Sequence, residues 1–180
     1  MRGEKPLVHL VEVLDMNKII NIGNKESAIK VINQIKEKDY VPFDLKITNS
    51  HIMSLNEKIG FAVFRKDSLY INSHSLWELM QPTGGKGRHN YHELSAEDVF
   101  IALVSIKDPY AILESEDNKY RILSIEESHF NEVLLTIVQI EANLIQDSSA
   151  RINKIVTIYP KDKVENYLKN NEKCLLYKKP

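Results

Sequence analysis

Three strand-like segments follow one another in the second half of the chain with only short connections between them. Residues 110–115 and 119–125 flank a polar turn, and residues 132–142 form a long run rich in β-branched side chains. Parallel neighbours need a crossover of a dozen or more residues, so links this short predict an antiparallel sheet.

The sequence on either side of these segments adds helices and a further strand. Ser95 followed by Asp98 is the pattern of a capping box and predicts a helix over residues 96–106. Residues 151–159 form another β-branched run, which Pro160 is expected to end. A helical pattern over 161–171 and a short apolar segment at 174–177 follow. The predicted class is α+β, a helix-backed antiparallel β-sheet.

The first part of the chain alternates short strand and helix patterns. We predict strands at 7–14, 41–47, 60–64 and 68–71, and helices at 26–38, 51–57 and 73–80. Residues 1–72 are therefore expected to form a small mixed α/β N-terminal extension or lobe, and residues 73–180 the main domain. The glycine-rich stretch between residues 81 and 92 is expected to be a loop.

Composition narrows the class of protein. No apolar run approaches the ~20 residues of a membrane span, and no secretion signal is recognisable, so a cytoplasmic protein is expected. The single cysteine, Cys174, excludes a disulfide framework. The histidines lack metal-ligand spacing, so neither a metal nor a cofactor is expected. Net charge is −1, but residues 151–180 hold eight Lys and Arg against three acidic residues, which favours contact with a polyanion there.

Alternation along the strands predicts which polar side chains share a face. In one set lie the residues Arg121, Gln139, Glu141, Asn153, Thr157 and Tyr159. His92 and His89, with Arg88, precede the capped helix and are expected to reach this face from the loop, and Lys154 adds positive charge. Metal-independent RNA cleavage needs a base, an acid and cationic donors to phosphate, which these residue types provide.

Each of these residues also has a simpler interpretation. Polar side chains on an open sheet face are usually only solvated, and His89 in a glycine-rich loop is more often solvated than catalytic. Thr157 and Tyr159 are common strand residues. A cytoplasmic enzyme that uses the glycine-rich loop is a weaker alternative, because that loop lacks the spacing of a phosphate-binding loop.

The order of several segments resembles a known family. These are LYINSHSLWELM, HELSAEDV, DPYAIL, YRIL, LLTIVQIEANL and INKIVTIYPKD followed by LLY. Over about residues 69–177 the chain is similar to the phage-associated nucleases of the barnase–EndoU–colicin–RelE superfamily. The similarity rests on the order and spacing of these segments, since no single motif is decisive.

The resemblance implies a metal-independent endoribonuclease, a phage or mobile-element toxin that cleaves RNA such as tRNA, with a cognate inhibitor or immunity protein as partner. It implies catalytic roles for His92, Arg121, Thr157 and Tyr159. Related modules often have serine where this chain has Thr157. The alternative is a catalytically inactive module of the same fold that binds nucleic acid or a host protein, which the acidic segment 107–149 favours.

Overall fold

The computed structural model describes residues 18–47, 49–60, 69–84, 91–116, 119–129, 131–143 and 151–180. The strands of this part of the chain are β1 (Lys18–Ile19), β2 (Pro42–Asp44), β3 (Leu69–Asn72), β4 (Ala111–Glu114), β5 (Lys119–Glu127), β6 (Val133–Asn143), β7 (Arg151–Lys161) and β8 (Leu175–Lys178). The helices are α1 (Lys25–Asn33), α2 (Asn49–Ile59), α3 (Ser73–Leu79), α4 (Ala96–Ser105) and α5 (Val164–Asn170), and a 3-10 turn covers Glu172–Cys174. The predicted α+β class is confirmed.

All these strands join one sheet in the order β1-β2-β3-β7-β6-β5-β4-β8. The consecutive strands β4, β5, β6 and β7 pair antiparallel, as their short connections predicted. The antiparallel pair of β4 with β8 joins segments far apart in the sequence. Parallel pairs join β1 to β2 and β3 to β7, so the whole sheet is mixed. Segments from residues 18–72 therefore continue the sheet of the later residues. The division at residue 72 stays a prediction.

The helices before β4 pack on one face of the sheet, the helix-backed face. The capping box that starts α4 is confirmed: Asp98 N–H donates to Ser95 Oγ, and Ser95 N–H donates to the Asp98 carboxylate. Asn24 caps α1, since its side-chain oxygen accepts a hydrogen bond from Ser27 N–H. Apolar residues of α4 join the core of this face, with Val99 and Leu103 fully buried. Removing this surface from water stabilises the fold.

The opposite side of the sheet, the second face, was expected to be open, and this is wrong for one part of it. A separate core cluster lies there, formed by Ala111, Leu113, Leu123, Leu135 and Leu168. Leu168 belongs to α5, so the C-terminal helix covers the β4, β5 and β6 part of this face. The apolar side of α5 requires a partner, and this half of the sheet provides it.

Pro160 was expected to end its strand, but β7 continues to Lys161. Within the described residues, β3 pairs with β7 only from Asn153 to Ile155, while Pro160 lies opposite Leu134 of β6. A proline is tolerated in a strand where one side has no ladder to complete. The predicted strands at 7–14 and 60–64 lie outside the described residues, apart from Gly60. No helix of the described part is long and apolar enough to cross a membrane.

Candidate functional site

An extra residue in β7 decides which side chains occupy the second face. Thr157 lies opposite Ile137, but Ile155 lies opposite the next residue of β6, Val138, so Val156 forms a β-bulge. A bulge places two residues of one strand against one of its partner and reverses the alternation of faces. Ile155 is accordingly buried in the helix-backed core, although simple alternation placed it beside Thr157.

The bulge corrects the predicted face of Asn153 and decides the face of Lys154. Asn153 is fully buried and pairs with Leu69, so it lies on the helix-backed side with Ile155 and apart from Thr157. Lys154 instead lies opposite Gln139 and joins the second face. The sequence contains no glycine or other signal that marks Val156 as a bulge.

The second face of β7 therefore presents two hydroxyl groups between two ammonium groups. The residues are Lys154, Thr157, Tyr159 and Lys161, all half-buried. Across the sheet, Thr157 shares a row with Ile137 and Arg121, and Lys154 shares the next row with Gln139 and Lys119. Lys119, Arg121, Lys154 and Lys161 are all cations. They are the charged residues that the register places on this face from β4 to β7, among side chains the structure describes.

His92 reaches these hydroxyls from the segment before α4. Its Nε2 lies 3.4 Å from Thr157 Oγ1, and its ring centroid lies 5.7 Å from that of Tyr159. Two backbone hydrogen bonds hold the following residues against the end of α3, from Glu93 N–H to Gln81 O and from Leu94 N–H to Leu79 O. The imidazole is therefore placed by a segment fixed at the end of α3 and at the start of α4.

Burial shifts the pKa values of the two rings in opposite directions. Loss of solvent lowers the pKa of His92 below its ordinary value, because the charged imidazolium is the form that loses hydration. Burial also raises the pKa of Tyr159, and the neighbouring Tyr167 raises it further, while Arg121 opposes the shift. Near neutral pH the site thus holds a neutral imidazole beside a protonated phenol.

The Arg121 guanidinium contacts groups of the chain itself. Its Nη1 donates to Tyr167 Oη at 2.7 Å and to Asn171 Oδ1 at 3.1 Å, and its Nη2 donates to Glu114 O at 2.7 Å. The Nε is buried without a hydrogen-bond partner. Arg121 therefore joins the sheet to α5. It lies two strands away from Thr157, at about 10 Å, with Ile137 between them.

Tyr167 and Lys161 belong to this region but were not among the predicted site residues. The Lys161 Nζ lies 4.9 Å from the centroid of the Tyr167 ring, and the Tyr167 hydroxyl accepts from Arg121. In the sequence Tyr167 fitted the apolar side of a helix. The hydroxyl of Tyr167 could have indicated a polar contact at this position, since a buried tyrosine usually has a hydrogen-bond partner.

The other predicted residues are not placed by the described geometry. His89 and Arg88 lie outside the described residues, and the Glu141 side chain is not described, although its backbone belongs to β6. Cavities of about 320 Å³ between α1 and β2 and about 210 Å³ beside α4 are lined by other residues than His92, Thr157 and Tyr159. The described residues contain no group of three or more potential metal ligands.

The fold and this surface define a small α+β domain with an imidazole, two hydroxyls and several cations on one sheet face. Residues 84–179 match the family model described as the phage MuF C-terminal domain, which covers more than half of the chain. The chain therefore belongs to the phage MuF C-terminal domain family. No curated protein and no solved structure matches it.

Proposed function

We propose that this phage-associated domain is a metal-independent endoribonuclease related to the barnase–EndoU–colicin–RelE superfamily. The observation that carries the proposal is the 3.4 Å approach of His92 Nε2 to Thr157 Oγ1, beside Tyr159 on a cationic sheet face. Imidazole, phenol and ammonium groups provide the base, the acid and the phosphate donors that RNA cleavage by its own 2′-hydroxyl requires.

The opposite pKa shifts support different proton-transfer roles for the two rings. His92 has a lowered pKa and is neutral near pH 7, so it accepts the proton of the attacking 2′-hydroxyl. Tyr159 has a raised pKa and remains protonated, so it donates its proton to the departing 5′-oxygen. The 2′-oxygen bonds to phosphorus as the P–O5′ bond breaks, which leaves a 2′,3′-cyclic phosphate and a 5′-hydroxyl. Solvent returns both groups to their starting protonation states.

Thr157 and the cations orient the phosphate in this scheme. Thr157 Oγ1 lies beside the imidazole and donates to a phosphoryl oxygen, while Lys154 on the same strand face supplies positive charge. Arg121 acts through its contacts with Tyr167 and Asn171, which fix α5 beside Tyr159. It is a positioning residue in this proposal, where the sequence suggested direct contact with phosphate.

The test is cleavage of total RNA and of purified tRNA by the full chain in EDTA. We expect products with cyclic phosphate and 5′-hydroxyl ends, a loss of at least 100-fold in His92→Ala, and a comparable loss in Tyr159→Phe. His51→Ala is the matched control, because His51 lies on α2, which packs against the helix-backed face. Equal cleavage by the wild type and His92→Ala would refute the proposed chemistry.

A biological readout follows from the same proposal. An RNA-cleaving effector acts in the host cytoplasm and needs a cognate inhibitor or immunity protein in the cell that makes it. Expression of the chain is expected to stop growth, and His92→Ala is expected to relieve this while His51→Ala is not. Growth arrest that persists in His92→Ala would show that the toxicity does not depend on the proposed cleavage chemistry.

One observation favours a second function, a non-catalytic module that binds nucleic acid or a host protein. Both terminal nitrogens of Arg121 already donate to Tyr167, Asn171 and Glu114. The guanidinium group, which would otherwise suit a two-pronged contact with phosphate, is therefore occupied. This function predicts that the wild type and a His92→Ala, Tyr159→Phe double variant bind one partner equally and that neither cleaves RNA.

A further inference from the structure

One cross-strand row on the second face has no part in the proton transfers. It consists of Lys119 on β5, Gln139 on β6 and Lys154 on β7, each directly opposite the next. Directly opposite residues share a face, and neighbouring strands lie about 4.8 Å apart, so the lysines are separated by about 10 Å. The Gln139 amide lies between them.

This row carries two lysines whose ammonium groups are not neutralised by a carboxylate of the described residues. Within the described residues no ion pair or hydrogen bond engages the side chains of Lys119 and Lys154, whereas Lys25, Lys178 and Lys179 are paired with carboxylates. An ammonium group without a carboxylate partner is available to an anion of another molecule. The adjoining row carries Arg121, which adds a further positive charge beside them.

The row also lies at a suitable place relative to the proposed cleavage site. Lys154 precedes Thr157 on the same strand face, and the bulge at Val156 shortens the path between them to about two strand steps, roughly 7 Å. A nucleotide chain whose scissile phosphate lies beside Thr157 and His92 would bring its neighbouring phosphates over Lys154 and Lys119.

We propose that Lys119, Gln139 and Lys154 form a phosphate-binding row that holds the backbone of a single RNA strand across β5, β6 and β7. This inference rests on the proposed ribonuclease function and extends it to substrate binding. The lysines contact phosphates next to the scissile one, and the Gln139 amide donates to a phosphate or sugar oxygen. Such contacts supply affinity without reading sequence.

The test measures the salt dependence of RNA binding, with the full chain carrying His92→Ala so that the probe stays intact. The probe is a fluorescent single-stranded 12-nucleotide RNA of mixed sequence. For single strands the slope of log K against log salt is about −0.7 per neutralised phosphate, so Lys119→Gln with Lys154→Gln is expected to reduce its magnitude by about 1.4. If both proteins bind the RNA equally at 1 M salt, this difference in slope corresponds to roughly a 25-fold loss of affinity at 0.1 M salt.

Two further variants separate loss of charge from damage to the fold. Lys119→Arg with Lys154→Arg keeps both charges and is expected to keep the slope. Lys30→Gln with Lys107→Gln removes two lysines at α1 and after α4, on the other side of the sheet, and is expected to change nothing. Thermal unfolding of each variant reports whether the sheet is intact.

The outcomes distinguish this inference from the function on which it rests. If the wild type cleaves RNA but the Lys→Gln pair retains the salt slope, the row is refuted and the nuclease stands. If the wild type does not cleave but the slope falls only in the Lys→Gln pair, the row stands as a binding site and the nuclease is refuted. Equal losses in the Lys30 and Lys107 control, or no RNA binding at all, would overturn the row.

Discussion

Replacement of Asp98 by alanine tests how the start of α4 is held to the rest of the fold. One Asp98 oxygen accepts from Ser95 N at 2.8 Å and Ser95 Oγ at 2.7 Å, and the other accepts from His129 N at 2.9 Å. His129 Nδ1 also contacts the carboxylate. The side chain is only 3% exposed, so these groups lose their partner where water cannot fully replace it.

The expected cost combines a local and a tertiary contribution. Loss of a helix cap costs about 1 kcal/mol, and loss of a buried hydrogen bond to a charged acceptor costs about 2 kcal/mol. Asp98→Ala is therefore expected to lower the free energy of unfolding by about 3 kcal/mol. With a urea dependence of about 2 kcal/mol per molar, the midpoint of urea unfolding should fall by roughly 1.5 M.

The assay is urea unfolding followed by circular dichroism, with Glu97→Ala as the matched control. Glu97 occupies the same helical turn and pairs with Lys25, but both side chains are more than half exposed. An exposed ion pair contributes about 0–1 kcal/mol, so this control should shift the midpoint little. If Asp98→Ala lost no more stability than Glu97→Ala, the role given to the contact with His129 would be wrong.

The pH dependence of stability provides a second measurement on the same residue. Burial alone raises the pKa of Asp98, but hydrogen bonds from Ser95 and His129 outweigh it and hold the pKa below its ordinary value. The stabilisation is therefore complete above the ordinary carboxyl range, near pH 4, and is lost as pH falls through the lower folded value. Asp98→Asn should flatten this acid decline, and an unchanged acid profile would contradict it.

Three further predictions address the second face, the core and the proposed base. Tyr167→Phe removes the acceptor of the 2.7 Å hydrogen bond from Arg121 and should lower the free energy of unfolding by about 1 kcal/mol. Amide hydrogen exchange in α5 should become faster, and unchanged exchange would contradict a role of this hydrogen bond in holding α5 to the sheet. Ile158→Ala, at a fully buried position, should cost about 2–5 kcal/mol in urea unfolding, and a loss below 1 kcal/mol would place it outside the core. The low-pH limb of RNA cleavage should have its midpoint below about 6.5, because burial lowers the pKa of His92, and a midpoint above that value would exclude His92 as the base.

Short-range sequence patterns predicted much of the later half of the fold. Ser95 and Asp98 marked the start of α4, since a capping box is a contact within four residues. Short links predicted the antiparallel order of β4, β5 and β6. The parallel pair of β3 with β7 joins residues about 80 positions apart, and no local pattern specifies such a contact.

The candidate site was predicted in part. Thr157 and Tyr159 share a face because no bulge lies between them, and His92 reaches them because α4 begins four residues later. Asn153 was misplaced because one bulged residue, Val156, reverses the alternation of the residues just before it. The contacts of Arg121 with α5 also escaped prediction, since they depend on how a helix packs about 50 residues further along the chain.

Because β3 pairs with β7, the segment that matches the family model is shorter than the segment that completes the sheet. The match begins at residue 84, yet β3 covers the edge of β7 from Asn153 to Ile155, where both residues are fully buried. Residues 84–180 alone would expose backbone donors and acceptors at an edge in the middle of the present sheet, a template for aggregation. Where this domain follows a different N-terminal sequence, we expect that sequence to contribute a strand or another cover at the same position.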